Sequence, residues 1–133
     1  MREMLFRAWH KKRKKYYKVL HLHFNDFEGN WVTCEGYDVI EQKNIHIQIQ
    51  PNDFILEQYT GLKDKNGVKI FEGDRVLITG QGSIPDYEAI IYFELGRFAV
   101  KGKFCQDTSM IHFLSSETIE DFEIIGNIHE VEK

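Results

Sequence analysis

The sequence predicts an all-β or mainly β protein, an antiparallel meander followed by a small SH3-like barrel, with at most one or two short helices. Two observations carry this prediction. Apolar and polar residues alternate with a period of two, most strictly in IHIQIQ at residues 45–50, which is typical of a half-buried strand. About eight or more short segments of this kind are separated by closely spaced turn residues, as in all-β barrels and sandwiches.

The N-terminal part of the chain predicts a hairpin followed by two further strands. Residues 4–9 and 16–24 are rich in alternating, aromatic and branched residues, and the charged segment from His10 to Lys15 between them predicts the hairpin tip. After a turn at residues 26–30, residues 31–35 predict a strand that continues past a kink at Gly36 through residues 37–40. Residues 41–44 then turn the chain into the isoleucine strand.

The C-terminal part predicts more strands and tight turns. The short apolar run at residues 54–58 fits either one helical turn or a strand. Asn66-Gly67 predicts a tight turn before a returning strand, and residues 72–74 predict another before a strand at 75–79. Residues 80–85 predict a loop, residues 88–93, 98–105 and 122–128 predict three strands, and residues 115–121 predict a short helix.

One domain is expected over residues 1–133, since this is the commonest domain size. A boundary, if present, is predicted at residues 51–53, between an N-terminal meander at 1–51 and a small barrel at 52–133. No apolar run approaches the roughly 20 residues of a membrane span, and the first nine residues do not contain the long apolar stretch of a signal peptide. We therefore expect a cytoplasmic protein without membrane contact, in which Cys34 and Cys105 are free thiols.

Charge is unevenly distributed along a chain whose net charge is −4. Residues 1–18 hold eight Lys and Arg against one Glu, whereas residues 117–133 hold six Asp and Glu against one Lys. This asymmetry indicates either a nucleic-acid-binding arm or two ends that attract each other in the fold or in an oligomer.

The segment YTGLKDKNG at residues 59–67, followed by IF at 70–71, EGD at 72–74 and Val76, resembles the signature of the YopX family of bacteriophage and prophage proteins. FRAW at 6–9, the basic run at 11–15 and EIIGNIHE at 123–130 fit the same family in order, so the resemblance spans the chain. It implies a mainly β fold and an origin in a phage or prophage of a bacterial host. It implies no established activity, cofactor or substrate.

The residues of this central motif are typical of turns. The backbone must turn or approach another strand at three glycines, Gly61, Gly67 and Gly73, and Asn66 tolerates a tight turn. The carboxylates of Asp64 and Asp74 can accept hydrogen bonds from nearby turn amides. The motif therefore predicts architecture, and a Gly-Asp turn before an apolar strand also recurs in SH3-like barrels.

Two sets of residues raise the question of chemistry. His21 and His23 point to one face of a predicted strand, and with His46, Cys34 or a carboxylate they would begin a zinc site; the alternative is two half-exposed histidines, because the three or four converging ligands are not evident. Asp64, Glu72 and Asp74 cluster as acid–base groups do, although acidic turn residues usually cap amides. With no phosphate loop, serine elbow or nucleophilic cysteine motif, we expect no catalysis, metal, cofactor or small-molecule substrate.

Two binding hypotheses remain. Lys11, Lys12, Arg13, Lys14 and Lys15, beside Trp9, Tyr16 and Tyr17, would bind nucleic acid by contacting phosphates while aromatic rings stack on bases. Alternatively, the protein is a homo-oligomer that also binds a host or phage protein, with the basic hairpin of one copy against the acidic run Glu117–Glu123 of another. The acidic net charge and the strand location of the aromatic residues favour self-association and protein binding.

Overall fold

Antiparallel β-strands make up most of the chain. The computed structural model describes residues 4–24, 29–38, 40–80, 82–94, 96–102, 112–113 and 121–130. The strands are β1 (Phe6–His10), β2 (Lys15–His23), β3 (Trp31–Asp38), β4 (Lys43–Ile49), β5 (Phe54–Lys63), β6 (Lys69–Phe71), β7 (Asp74–Ile78), β8 (Tyr87–Glu94), β9 (Arg97–Gly102), β10 (His112–Phe113) and β11 (Phe122–Asn127). A 3-10 turn at Pro51–Asp53 precedes β5. The predicted mainly β class is confirmed, and the small barrel stays a prediction.

The chain divides into two compact units, and the division falls inside β5, between Gln58 and Tyr59. The predicted boundary at residues 51–53 lies in the 3-10 turn before this strand and stays a prediction. Among the residues that the structure describes, no helix is long and apolar enough to cross a membrane.

The N-terminal unit, residues 4–58, is a meander in which β5 returns beside β1. Its strand order is β4-β3-β2-β1-β5, with every neighbouring pair antiparallel. Strand alternation sends one face of each strand into a core made of Ala8, Tyr17, Val32, Cys34 and Ile49, with Val19, Leu22, Ile47, Phe54 and Leu56 packed against it. The isoleucines of β4 share this face, as the alternation at residues 45–50 predicts.

The C-terminal unit holds a sheet of order β10-β9-β8-β7-β11, and within it the second half of β5 pairs with β6. Its core contains Ile70, Val76, Ile78, Ala89, Ile91, Val100 and Phe122, with Ile124 against it. The apolar run at residues 54–58, which fitted a helical turn or a strand, is the first half of β5. Residues 103–105 of the predicted strand and residues 115–120 of the predicted helix lie outside the described residues.

Candidate functional site

A tight turn closes the hairpin between β1 and β2. His10 pairs with Lys15 at the end of the ladder, and the Lys14 amide donates a hydrogen bond to the His10 carbonyl oxygen at 2.8 Å. The His10 Nδ1 atom accepts the amide N–H groups of Lys12 and Arg13, each at 3.2 Å. Lys14 has a φ of 54°, a left-handed conformation that is uncommon for residues other than glycine. These bonds fix the backbone of the tip, so its charges project from a defined turn.

All five basic side chains of the tip, Lys11 to Lys15, are exposed. The Arg13 guanidinium donates a hydrogen bond to the Tyr17 hydroxyl at 3.0 Å, and the Lys15 ammonium lies 4.9 Å from the centre of the Tyr17 ring. Burial raises the pKa of Tyr17, but hydrogen bonds and positive charge from Arg13 and Lys15 outweigh burial and lower that pKa overall. No carboxylate in the described ranges forms an ion pair with any of the five. The tip therefore presents positive charge that no carboxylate of the described residues pairs with.

An open groove of about 330 Å³ lies beside the tip, where β2 and β3 separate. The β2–β3 ladder ends at the pair Lys18–Glu35, while β2 continues to Lys15 paired with β1 and β3 continues to Asp38 paired with β4. The groove is lined by Lys15, Tyr16, Tyr17, Lys18, Glu35, Gly36, Tyr37 and Asn44. The lining of this open groove thus includes two lysines and three tyrosines, of which Tyr17 belongs to the buried core.

A buried carboxylate fixes one of these rings. Glu57 is 2% exposed, and its Oε1 atom accepts hydrogen bonds from Arg7 Nε and from the Tyr16 hydroxyl, both at 2.8 Å. The Arg7 guanidinium lies 4.1 Å from the centre of the Tyr16 ring, and Trp9 packs edge-on against that ring at 5.0 Å. Because charge-assisted bonds of this length are directional, Tyr16 forms a preorganised wall of the groove.

The histidines weighed as metal ligands lie on β2 and β4. The ring centres of His21 and His23 are 6.0 Å apart. The His23 ring stacks on Trp31 at 3.7 Å, and its Nε2 atom hydrogen-bonds with the Thr33 hydroxyl at 3.2 Å. His46 is exposed on β4. Nowhere in the described part of the chain do three His, Cys, Asp or Glu side chains form a group that could hold a metal ion.

The two cysteines differ in what the structure describes. Cys34 is buried in the N-terminal core as a free thiol, and burial raises its pKa to about 11. Cys105 lies outside the described residues. A buried thiol with a raised pKa is a poor nucleophile, so Cys34 serves packing.

The Asp64 carboxylate binds backbone amides. Its Oδ1 atom accepts the N–H groups of Asn66 and Val68, both at 2.9 Å, and its Oδ2 atom accepts the N–H group of Ile124 on β11 at 3.0 Å. Asp64 is 6% exposed. Burial raises its pKa, but the three amides and the Lys65 charge outweigh burial, so the pKa lies below the ordinary value. Asp64 thereby ties the β5–β6 turn to the edge strand β11.

The other residues of the central motif also lie in turns. The Asp74 carboxylate, 3% exposed, accepts the Phe71 N–H group at 2.8 Å, and Glu72 lies in the same turn. Gly61, Gly67 and Gly73 have φ values of 89°, 81° and 86°, which an L side chain rarely adopts. The geometry gives the Asp64 and Asp74 carboxylates a structural use as acceptors of turn and strand amides.

The acidic run is only partly described, since residues 117–120 lie outside the described residues. Asp121 is half-buried, and the Glu123 carboxylate lies 3.4 Å from the Lys65 ammonium.

Sequence reasoning found the tip but missed the groove. Strand alternation in the sequence indicates on which strand faces Tyr37 and Lys18 lie. The place where β2 and β3 separate depends instead on the pairing of β2 with β1 and of β3 with β4. The sequence did not predict the Arg7–Glu57 contact, because residues 54–58 fitted either a helical turn or a strand. Since β5 pairs with β1 in a register that puts Arg7 opposite Glu57, the contact depends on the tertiary fold.

Comparisons with known proteins agree with the fold. A family model described as YopX protein matches residues 5–132. The crystal structure of protein EF1440 from Enterococcus faecalis is similar, with a TM-score of 0.64, 24% sequence identity, and coverage of 97% of this chain and 95% of that chain. At this identity the likeness concerns the fold alone. No curated protein matches the chain.

Proposed function

From the premise that this chain belongs to the YopX family of phage and prophage proteins, we propose that it acts by binding rather than by catalysis. It is an accessory protein of the bacterial host cytoplasm that self-associates and binds a host or phage protein. The acidic turn residues with buried carboxylates, Asp64 and Asp74, bind backbone amides, which supports a structural rather than a catalytic use.

The observation that carries this proposal is the basic tip, whose five exposed cations form no ion pair with a carboxylate in the part of the chain that the structure describes. The turn is fixed by hydrogen bonds to His10, so an acidic partner meets a preformed surface and orders few backbone torsions on binding. The acidic run Glu117–Glu123 supplies an opposite charge on a second copy. In such an interface the tip of one copy contacts the acidic run of the next, so the interface is heterologous. The copies close into a ring when the rotation that relates neighbouring copies permits it.

Charged contacts between exposed groups weaken with salt, because the Debye length falls to about 8–10 Å at physiological ionic strength. Light scattering on the full chain at low and moderate salt therefore tests the proposal. The variant Lys11→Gln/Lys12→Gln/Lys14→Gln removes three tip charges and leaves the contacts of Arg13 and Lys15 with Tyr17 in place. We expect an oligomer that this variant dissociates.

The matched control replaces three lysines that are not part of the tip by Gln, namely Lys43, Lys63 and Lys101, and it is expected to assemble as the wild type does. A wild-type monomer at high concentration in both salts would overturn the proposal. So would equal assembly of the tip variant and the control.

A further inference from the structure

The groove between β2 and β3 contains groups that the proposed function does not use. Its volume of about 330 Å³ lies at the small end of ligand-binding pockets, and its lining combines lysines with exposed aromatic surface. We infer that this groove seats one nucleotide of a single-stranded nucleic acid, whose phosphates lie beside Lys18. The inference goes beyond the proposed function, because it assigns a second ligand to Tyr37 and Lys18, residues outside the tip.

The first support is the difference in exposure and contacts between Tyr37 and Tyr16, the two rings on the outer walls of the groove. Tyr37 is 58% exposed, and no ring, ion or hydrogen-bond partner of its side chain is found among the described residues. Tyr16, by contrast, is fixed by Glu57 and Arg7. One wall is therefore preorganised and the other is open for a base to stack on, and stacking on aromatic rings is how single-strand-binding proteins hold bases without regard to sequence.

The second support is the distribution of charge. Lys18 is exposed on the groove and has no carboxylate within ion-pair distance in the described ranges. Lys15 lines the same groove and begins the run of five cations at the tip. A phosphate backbone that passes Lys18 thus lies in a region of the sheet where positive charge is concentrated.

The remaining polar groups orient the ligand. Glu35 and Asn44 lie on the β3 and β4 side of the groove. The Glu35 carboxylate repels phosphate, so the phosphates lie on the lysine side and the base edge faces a carboxylate and an amide. An acidic peptide would satisfy the lysines but would meet Glu35 and leave the exposed ring of Tyr37 unused. A duplex keeps its bases stacked, so it has no single base to place in a gap of this size.

Fluorescence anisotropy of a labelled oligothymidylate of roughly twelve nucleotides, within the site sizes of single-strand-binding folds, tests the inference on the full chain. Tyr37→Ala removes the stacking surface from an exposed position, and Lys18→Gln removes the phosphate contact. We expect Tyr37→Ala to weaken binding about tenfold, the effect of losing one base stack, and Tyr37→Phe to bind as the wild type does. Binding should fall steeply with salt.

The matched controls are Tyr87→Ala, an exposed tyrosine of β8 at 40% exposure, and Lys63→Gln, an exposed lysine of β5; both are expected to bind normally. Light scattering on Tyr37→Ala separates the two proposals, since its assembly is expected to be unchanged. Three results would overturn the inference: no binding at low salt, equal binding by the Tyr37 and Tyr87 variants, or loss of binding only on neutralising the tip. Tighter binding of a duplex, of thymidine monophosphate or of polyglutamate than of the oligonucleotide would also overturn it.

Discussion

Replacing Asp64 is expected to destabilise the fold strongly, because its one carboxylate accepts hydrogen bonds from three backbone amides. Its bonds to Asn66, Val68 and Ile124 measure 2.9, 2.9 and 3.0 Å. A buried amide left without a partner costs about 1–3 kcal/mol. Since these bonds are partly buried, the lower half of that range, about 1–2 kcal/mol for each amide, applies, and Asp64→Ala is expected to destabilise the protein by about 3–6 kcal/mol.

The pH dependence of the same carboxylate gives a second readout. The pKa of Asp64 is lowered in the folded state, despite burial, by the amides and by Lys65. The unfolded chain therefore binds this proton more readily, so the contribution is present above the ordinary value of 3.8 and is lost as pH falls through the lower folded pKa. The difference in unfolding free energy between wild type and Asp64→Asn should accordingly shrink in acid.

Urea denaturation followed by far-ultraviolet circular dichroism measures both effects. The control is Asp86→Ala, an exposed aspartate that accepts a single hydrogen bond from the Gly80 amide at 2.9 Å, for which about 1 kcal/mol or less is expected. Hydrogen exchange at the Ile124 amide should also accelerate in Asp64→Ala. The reasoning is refuted if Asp64→Ala and Asp86→Ala cost the same, or if exchange at Ile124 is unchanged.

Three other substitutions or treatments test the N-terminal unit. Glu57→Gln should destabilise the protein by about 3 kcal/mol, because it removes the buried carboxylate that pairs with the Arg7 charge. Urea denaturation monitored by tryptophan fluorescence measures this loss. The control is Glu41→Gln, which should have little effect because Glu41 forms an exposed ion pair with Lys43. Gly36→Ala would place a Cβ atom in steric conflict with Ile47 Cδ1, at a cost of about 1–2 kcal/mol. Ile47→Val removes that Cδ1 atom and should restore part of the loss, and an additive double-mutant cycle would contradict the contact. Cys34, with a pKa raised to about 11, should resist alkylation by iodoacetamide at neutral pH until urea unfolds the chain. Peptide mass spectrometry identifies the labelled cysteine, and rapid labelling of Cys34 in the folded protein would contradict its burial.

The mainly β fold was predictable because its signals are local. Alternation at residues 45–50 places Ile45, Ile47 and Ile49 on the core face of β4, and the charged segment from Lys11 to Lys14 between two strands forms the hairpin turn. The Asn66-Gly67 pair likewise precedes the returning strand β6. Each of these depends on a few neighbouring residues, and local physics decides each one.

The sequence could not predict the contacts between residues that are far apart along the chain. The groove exists because β2 pairs with β1 beyond Lys18 while β3 pairs with β4 beyond Glu35, and no local pattern encodes where two partners diverge. The reach of Asp64 to Ile124, a separation of 60 residues, depends on β11 lying beside β7. Glu57 likewise meets Tyr16 only through the pairing of β5 with β1.

The central claim is that the basic tip of one copy binds the acidic run of another, and a charge-swap mixture tests it most directly. One variant carries Glu at Lys11, Lys12 and Lys14, and the other carries Lys at Glu117, Glu120 and Glu123. Each variant alone brings like charges together, so sedimentation velocity should show monomers. In an equimolar mixture each variant meets opposite charge on the other, so the mixture should assemble into oligomers in which the two variants alternate. A mixture that stays monomeric while the wild type assembles, or assembly of either variant alone to the wild-type size, would contradict the account.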